Sequence, residues 1–254
     1  MPTWQIDDLI VGQVKTSTPK RRSGPRRLNS SRQLLRREDW ISAAREDLIA
    51  AGVGAIKVGQ LARRLGVTRG SFYWHFRSHE ELLGELLQFW EETNTGSFDR
   101  ALAQAKAMSG IAEFLAIVNL LLEEKEYSPA FDTAVRDWAR IAPKVASAVR
   151  RADERRLNVL HRVFLDMGVA DPEALVRSRV LYFHQIGYYT LGFFEDPVRR
   201  RELHPIYLQV LLGKPLEEIT SLLGSGSRPT PGARDRAEHS AADTIAPDAQ
   251  LIRG

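Results

Sequence analysis

From Arg37 onward the apolar positions recur every three to four residues, and no alternating β-branched run bounded by hairpin residues interrupts them. Trp40, Ala44 and Leu48, with Ile41 and Ile49 beside them, form the stripe of a first helix closing near Ala51-Gly52. Glu38 and Asp39 fall in its first turn, where the helix dipole favours negative charge. A short second helix points Leu61, Ala62 and Leu65 inward, Gly66 supplies a turn, and Thr68 is placed to cap a third helix running to about Phe76. Ser78-His79-Glu80-Glu81 reads as a capping box opening a fourth helix, with Leu82, Leu86 and Trp90 beside Leu83 and Leu87 on one side. Beyond Gly96 the same period predicts helices over roughly 99–107, 110–126, 129–140, 143–151, 153–167, 172–195, 203–212 and 215–223. Pro129, Pro143, Pro172 and Pro215 fall near starts, where a missing N–H costs little. The expected fold class is all-α.

The periodicity fails at both ends. Residues 1–36 hold Pro2, Pro19 and Pro25 in a Lys/Arg/Ser mixture, and residues 224–254 are similarly unable to bury a core, so a disordered basic arm and a disordered tail are expected there. Between them the pattern divides into a compact unit over 37–95 and a larger helical domain over 96–223, joined directly by the fourth helix. The longest apolar run, Leu115–Leu122, is interrupted by Asn119 and is too short to span a bilayer. No apolar segment follows the N-terminal charges in the manner of a secretory leader, so a cytoplasmic location and no membrane partner are expected.

Charge adds a second layer. The 254 residues sum to only +4, yet residues 1–37 carry nine cations against Asp7 and Asp8. Lys57, Arg63, Arg64, Arg69 and Arg77 follow with no acid between Lys57 and His79. The remainder is acidic on balance. Cysteine is absent, which excludes disulfides, thiolate metal sites and thiol chemistry. His161, His184 and His204 are scattered, and there is no glycine-rich phosphate loop or nucleophile elbow. No metal, no cofactor and no enzymatic reaction is expected.

The basic stretch coincides with a distinctive pattern. Val58–Phe76 reads as helix, tight glycine turn and second helix, the helix-turn-helix arrangement. Phe72 and Phe76, four apart, share a face that anchors the third helix. The opposite face is centred on Gly70, Ser71 and Trp74, with Tyr73 and His75 at its edges, and carries no acid. Exposing Trp and Tyr together lowers solubility, and Gly70 within a helix costs about 0.5–1 kcal/mol relative to Ala. Insertion into a nucleic-acid groove accounts for both. Glycine lets backbone approach backbone, and the aromatics offer a ring and a donor to the sugar-phosphate wall.

The string LARRLGVTRGSFYWHFRSHEELL within residues 38–83 resembles the DNA-binding domain of the TetR family of transcriptional regulators. The resemblance implies that Thr68, Arg69, Gly70 and Ser71 face bases while Tyr73, Trp74 and His75 grip phosphates. Lys57-Val58 stands where the family often has Thr or Ser, and His79 replaces the usual Lys. Both Lys57 and His79 are expected on the DNA side, the latter with a pH-sensitive contact. Ala134–Arg156 is similar to a pattern in the regulatory domains of one subgroup. In that subgroup two helices, matched here by 153–167 and 172–195, form a four-helix bundle with a partner subunit.

The second of these carries Tyr182, Ile186, Tyr189 and Phe193, with Phe183, Gly187, Leu191 and Phe194 at its other edges, so it needs cover on more than one side. Trp138, Tyr182, Gln185, Tyr188 and Tyr189 are candidates for lining a small-molecule pocket, although aromatics at helical spacing also suit plain core or a dimer interface. The family implies a homodimeric repressor on double-stranded DNA, with recognition helices about 34–36 Å apart on a palindromic operator. Release by an unknown small-molecule effector is implied with it. The alternatives are a helical dimer that binds nucleic acid non-specifically through its basic arm, or a ligand-binding enzyme on a helical scaffold.

Overall fold

A computed structural model of the chain describes residues 35–105, 110–192, 195–215, 217–219 and 221. The basic arm before residue 35, Phe193, Phe194, residues 216, 220, 222 and 223 of the helix expected at 215–223, and the tail at 224–254 lie outside these residues. Every regular element among those described is helical. They are α1 (Arg37–Ala51), α2 (Val58–Arg64), α3 (Arg69–Phe72), α4 (His79–Trp90), α5 (Gly96–Ala105), α6 (Gly110–Glu123), α7 (Pro129–Ala139), α8 (Pro143–Asp166), α9 (Asp171–Leu191) and α10 (Pro197–Leu212).

Four boundaries differ from the periodicity, each for a local reason. Helices expected at 143–151 and 153–167 are one 24-residue helix, α8, because neither Gly nor Pro separates them and Ala152 is buried in register. α10 begins at Pro197 rather than 203, capped by Asp196, whose Oδ1 accepts the Val198 N–H at 2.8 Å. Pro205 lies inside it and has no N–H for the Arg201 carbonyl. α9 stops at Leu191 because Gly192 turns left-handed at φ 69°. α3 ends at Phe72, and the chain completes the turn to Phe76 through tighter bonds such as His75 N–H to the Phe72 carbonyl at 2.9 Å.

The connector between the two halves is unusual. α4 does not end at residue 95 but passes through a single π-turn, Glu91–Thr95, into α5. A wider turn leaves carbonyls without their usual helical partners, and Arg100 takes two of them, those of Glu92 and Thr93 at 3.2 and 3.3 Å. Gly96 makes room for it: a Cβ there would stand 3.1 Å from Arg100 Nη1.

Two apolar cores form, and they do not divide at residue 95. The first unites Trp40, Leu48, Ile56, Leu61, Phe72, Phe76, Leu86 and Trp90 with Phe131, Val135 and Trp138 of α7 and Val145 to Ala152 of α8. The second gathers Phe98, Phe114, Leu121, Tyr127, Leu160, Phe164, Leu181, Tyr182 and Leu208. Full burial of one such side chain contributes about 1.5–3 kcal/mol. The frontier between the cores therefore crosses the middle of α8.

At that frontier sits a buried ionic cluster. Arg156 is fully buried; its Nη1 donates to Asp132 Oδ1 at 2.9 Å and its Nη2 to Thr95 Oγ1 at 3.0 Å. Asp132 also accepts from Trp90 Nε1 at 3.1 Å and from Arg136 Nε at 2.8 Å. Arg136 Nη1 reaches Asp153 Oδ2 at 3.0 Å, and the Tyr182 hydroxyl donates to Asp153 Oδ1 at 2.6 Å. Burial would raise the Asp132 carboxyl, but Arg156 and Arg136 outweigh it and hold it below its ordinary value. The cluster joins α4, the π-turn, α7, α8 and α9.

Candidate nucleic-acid interface

α1, α2 and α3 meet around Phe72. Its ring stands edge-on to Trp40, centroids 5.3 Å apart, and stacks on Phe76 at 5.2 Å. The four-residue spacing of the two phenylalanines sets the orientation of α3 and turns the rest of it outward. Gly66, at φ 70°, supplies the bend between α2 and α3 that an L side chain rarely adopts. Ser78 Oγ accepts the Glu81 N–H at 3.2 Å and starts α4, whereas the Glu81 carboxylate turns to the Arg77 N–H at 2.6 Å.

The outward face carries most of the residues anticipated for it. Arg69 and Gly70 are exposed, Tyr73 is 56% and Trp74 88% exposed, and Ser71 and His75 are half-buried beside them. Tyr73 leans its ring edge-on to Phe72 at 5.3 Å, which fixes one side of it. Thr68 occupies the N-cap position of α3, yet its hydroxyl makes no cap bond and approaches Ser71 Oγ at 3.4 Å instead. Nothing within the chain requires glycine at 70, where a Cβ would meet only Thr68 Oγ1 at an ordinary 3.7 Å. Lys57, Arg63, Arg69 and Arg77 lie exposed around this face.

Two cations and a histidine are placed otherwise. Arg64 turns back to α1, donating to Asp47 Oδ1 at 2.7 Å and to the Ala43 carbonyl, so it stabilises the unit from behind. Arg37, which the charge count assigned to the basic arm, donates its Nε to Glu85 Oε2 at 2.6 Å and its Nη2 to Glu81 Oε1 at 2.7 Å. It also holds the His75 carbonyl and lies 4.3 Å above the Phe76 ring, so one guanidinium locks α1, the end of the recognition segment and α4 together. The signal was present: Glu81 and Glu85 are four apart on the face of α4 that meets α1. His79 donates Nε2–H to the Ile56 carbonyl at 2.9 Å, which commits the ring to holding the loop before α2. Arg36, the last residue of the arm, has its N–H on Asp39 Oδ2 at 2.6 Å.

The candidate effector residues separate. Trp138, Tyr188 and Tyr189 border a cleft of about 1260 Å³ that also touches Leu48–Gly54 of the N-terminal unit. Gln185 and Tyr188 border a second, small cavity between α6, α9 and α10. Tyr182 borders neither: its hydroxyl belongs to the ionic cluster, and burial raises it above an ordinary tyrosine. Arg200 was not anticipated; it donates to Glu124, the Leu121 carbonyl and the Tyr189 hydroxyl, and lies 5.1 Å from the Tyr188 ring.

The exposed apolar surface also differs from the expected bundle pair. The outer face of α8 is Arg151, Glu154, Arg155, Asn158 and Arg162, which is polar throughout. Uncovered apolar groups lie instead on α9, as Val176, Val180, Phe183 and Leu191, and on α10, as Ile206 and Val210. Among the described residues no helix is long and apolar enough to cross a membrane.

Residues 41–86 match the family described as bacterial regulatory proteins, tetR family. Over 51 residues the chain is 45% identical to the HTH-type transcriptional regulator SrpR of Pseudomonas putida, covering 20% of this chain and 24% of that protein. It is equally similar to the uncharacterized HTH-type transcriptional regulator TtgW of the same species, over 20% of this chain and 38% of that one. The matches thus span well under half the length of these relatives. A crystal structure of a transcriptional regulator from Rhodococcus sp. Rha1 aligns with a TM-score of 0.48 at 20% identity, over 78% of this chain and 100% of that one. The matched segment is the same α1–α4 unit whose exposed face has just been described, and over that unit the chain is similar to the tetR family of bacterial regulatory proteins.

Proposed function

We propose that the protein is a DNA-binding transcriptional regulator rather than an enzyme, acting as a homodimeric repressor that a small molecule releases from a palindromic operator. The observation that carries this reading is the outward face of α3. Trp74 at 88% exposure and Gly70 with no internal reason to be glycine have an explanation if a DNA backbone approaches that face. Arg69 and Ser71 then reach base edges, and Tyr73, Trp74, His75 and Lys57 contact the phosphate walls. His79, bonded to Ile56, acts by holding the α2 entrance in place rather than by gripping phosphate.

The dimer reading is supported by α9. Val176, Val180, Phe183 and Leu191 follow one face at spacings of four, three and eight, and Gly187 lies between the last two with nothing near its missing Cβ. A second copy packing α9 and α10 against their symmetry mates covers this surface. The continuous path from α4 through the π-turn to the ionic cluster offers a route by which a ligand in the body changes the spacing of two recognition segments. The compact unit then extends from residue 37 to the π-turn and the effector-binding body follows it.

Selection of binding sites from random duplexes tests the whole reading. A twofold-symmetric consensus, with at least about a thousandfold preference over random DNA at fixed salt, is expected. Equal affinity for the selected duplex and for random DNA refutes it and favours non-specific nucleic-acid binding.

A further inference from the structure

The segment that carries the outward face cannot hold its own direction. Its regular part, α3, is a single turn, Arg69–Phe72, and so short a helix is unstable by itself. Phe72 and Phe76 bury its inner side, which fixes how deeply the segment sits. Its far end needs a second hold, because the last carbonyls of a helix have no helical partners of their own.

The Arg37 guanidinium is placed at that end. It donates to the His75 carbonyl, to both oxygens of Glu85, with Nε on Oε2 at 2.6 Å, and to Glu81 Oε1 at 2.7 Å. Its carbon lies 4.3 Å from the centre of the Phe76 ring. The second oxygen of Glu81 accepts the Arg77 N–H at 2.6 Å. α4 therefore grips the segment on both sides of Phe76, at residue 75 through Arg37 and at residue 77 directly. Arg37 cannot lose its proton. Arg37 first, and then the Arg77 N–H, hold the Glu81 carboxyl below its ordinary value, so the contact stays ionic at neutral pH.

A cation beside a DNA-facing surface ordinarily neutralises phosphate. Arg37 is committed elsewhere: one positive charge faces two carboxylates, and the group as a whole repels a phosphate. The side chains of Arg37, Glu81 and Glu85 are 34%, 31% and 32% exposed, so their ion pairs add little to the stability of the fold. What they supply is direction. We propose that Arg37 is a positioning residue for base reading: latched by Glu81 and Glu85, it fixes the end of the recognition segment so that Arg69 and Ser71 meet base edges in one orientation, and it makes no phosphate contact. This rests on the reading of the protein as a sequence-specific DNA-binding regulator and adds the device that aims its recognition segment.

Fluorescence anisotropy of the full chain on its selected duplex and on random DNA, over a series of salt concentrations, tests it. Arg37→Met is expected to lower the preference for the selected duplex at least about tenfold, the discrimination one base contact supplies. Affinity for random DNA should stay within about twofold and the slope of log affinity against log salt should not change, whereas losing a phosphate contact lowers that slope by about 0.9. Arg37→Lys keeps the charge but not the planar fork, so it should lose preference in the same way, and it decides the matter even where Arg37→Met folds poorly. Glu85→Ala gives the sharpest contrast. Removing an anion beside a polyanion tightens binding by charge alone, while loss of the latch weakens binding to the selected duplex at least about threefold. Added to Arg37→Met, Glu85→Ala should change affinity by less than about twofold, because both act through one contact. A reduced salt slope in Arg37→Met, an unchanged preference in Arg37→Lys or tighter binding by Glu85→Ala overturns the proposal. A protein with no preferred duplex refutes the regulator reading and this inference with it, whereas a preferred duplex read equally well by all the variants refutes only the latch.

Discussion

Removing either partner of the Arg156–Asp132 pair should destabilise the protein, and the two removals should not be equal. In Arg156→Met the carboxylate of Asp132 keeps Arg136 Nε at 2.8 Å and Trp90 Nε1 at 3.1 Å, and it can also take up a proton. In Asp132→Leu the guanidinium of Arg156, fully buried, keeps only neutral oxygens, Thr95 Oγ1 at 3.0 Å and the Tyr182 hydroxyl at 3.4 Å. Arginine cannot shed its proton to escape. Breaking a buried pair costs about 3–5 kcal/mol, so Arg156→Met belongs near the lower figure and Asp132→Leu near the upper. The double variant should recover part of the loss, with a coupling of about 2 kcal/mol or more.

The pH dependence sharpens this prediction. Asp132 titrates below its ordinary value in the folded chain, so its contribution is complete above that value and is lost as pH falls toward the folded one. The penalties of Arg156→Met and of Asp132→Leu should both shrink over that acid window, because the unmodified protein then loses the contribution that each variant already lacks. Urea unfolding at fixed protein concentration measures all four proteins. The reasoning is refuted if both single variants lose less than about 1 kcal/mol, or if Arg156→Met is the more damaging.

Other outcomes follow from the same geometry. Gly70→Ala should leave thermal stability unchanged or raise it by up to about 1 kcal/mol, since its Cβ would meet only Thr68 Oγ1 at an ordinary contact distance, while DNA affinity by fluorescence anisotropy drops at least about tenfold; a drop in stability with DNA affinity intact would contradict the placement of α3. Tyr73→Ala should weaken binding to all duplexes alike, whereas Arg69→Ala or Ser71→Ala should change which bases are preferred in a repeated site selection. His184 and His204 are both held below the ordinary 6.5, so below about that pH the unfolded chain binds protons that the folded chain refuses. Thermal midpoints should therefore fall as pH is lowered from 7 to 5, and His204→Phe should flatten that slope.

The N-terminal unit was readable because its signals are local. Gly66, Phe72 with Phe76, and Ser78 with Glu81 each act within four residues, and each lies where the spacing puts it. Arg37 and Arg64 escaped because charge counted along a chain says nothing of direction; their partners stand 48 and 17 residues away. Tyr182 looked like pocket lining by its helical spacing, but Asp153, 29 residues before it, claims the hydroxyl. His204 looked idle because its burial beside a cavity between three helices is nothing that a periodicity can express. The continuity of α8 was missed at Ala152, although neither Gly nor Pro stands there and both Ala152 and Arg156 are buried.

An α-helix advances about 1.5 Å and turns about 100° with each residue. The π-turn at Glu91–Thr95 amounts to one residue more than a straight α-helical path from α4 to α5 would use. That wide turn absorbs the extra residue and leaves α4 and α5 nearly in phase, so one further residue inserted in this stretch as ordinary helix would swing the recognition segment about 100° around the connector axis relative to Phe98 and the body. In a twofold assembly both reading heads would swing in opposite senses, leaving the operator out of phase on each side. Single-residue insertions here should therefore abolish the proposed operator recognition in proteins that remain folded, while a single deletion that straightens the turn, and most substitutions at its exposed positions, are tolerated better.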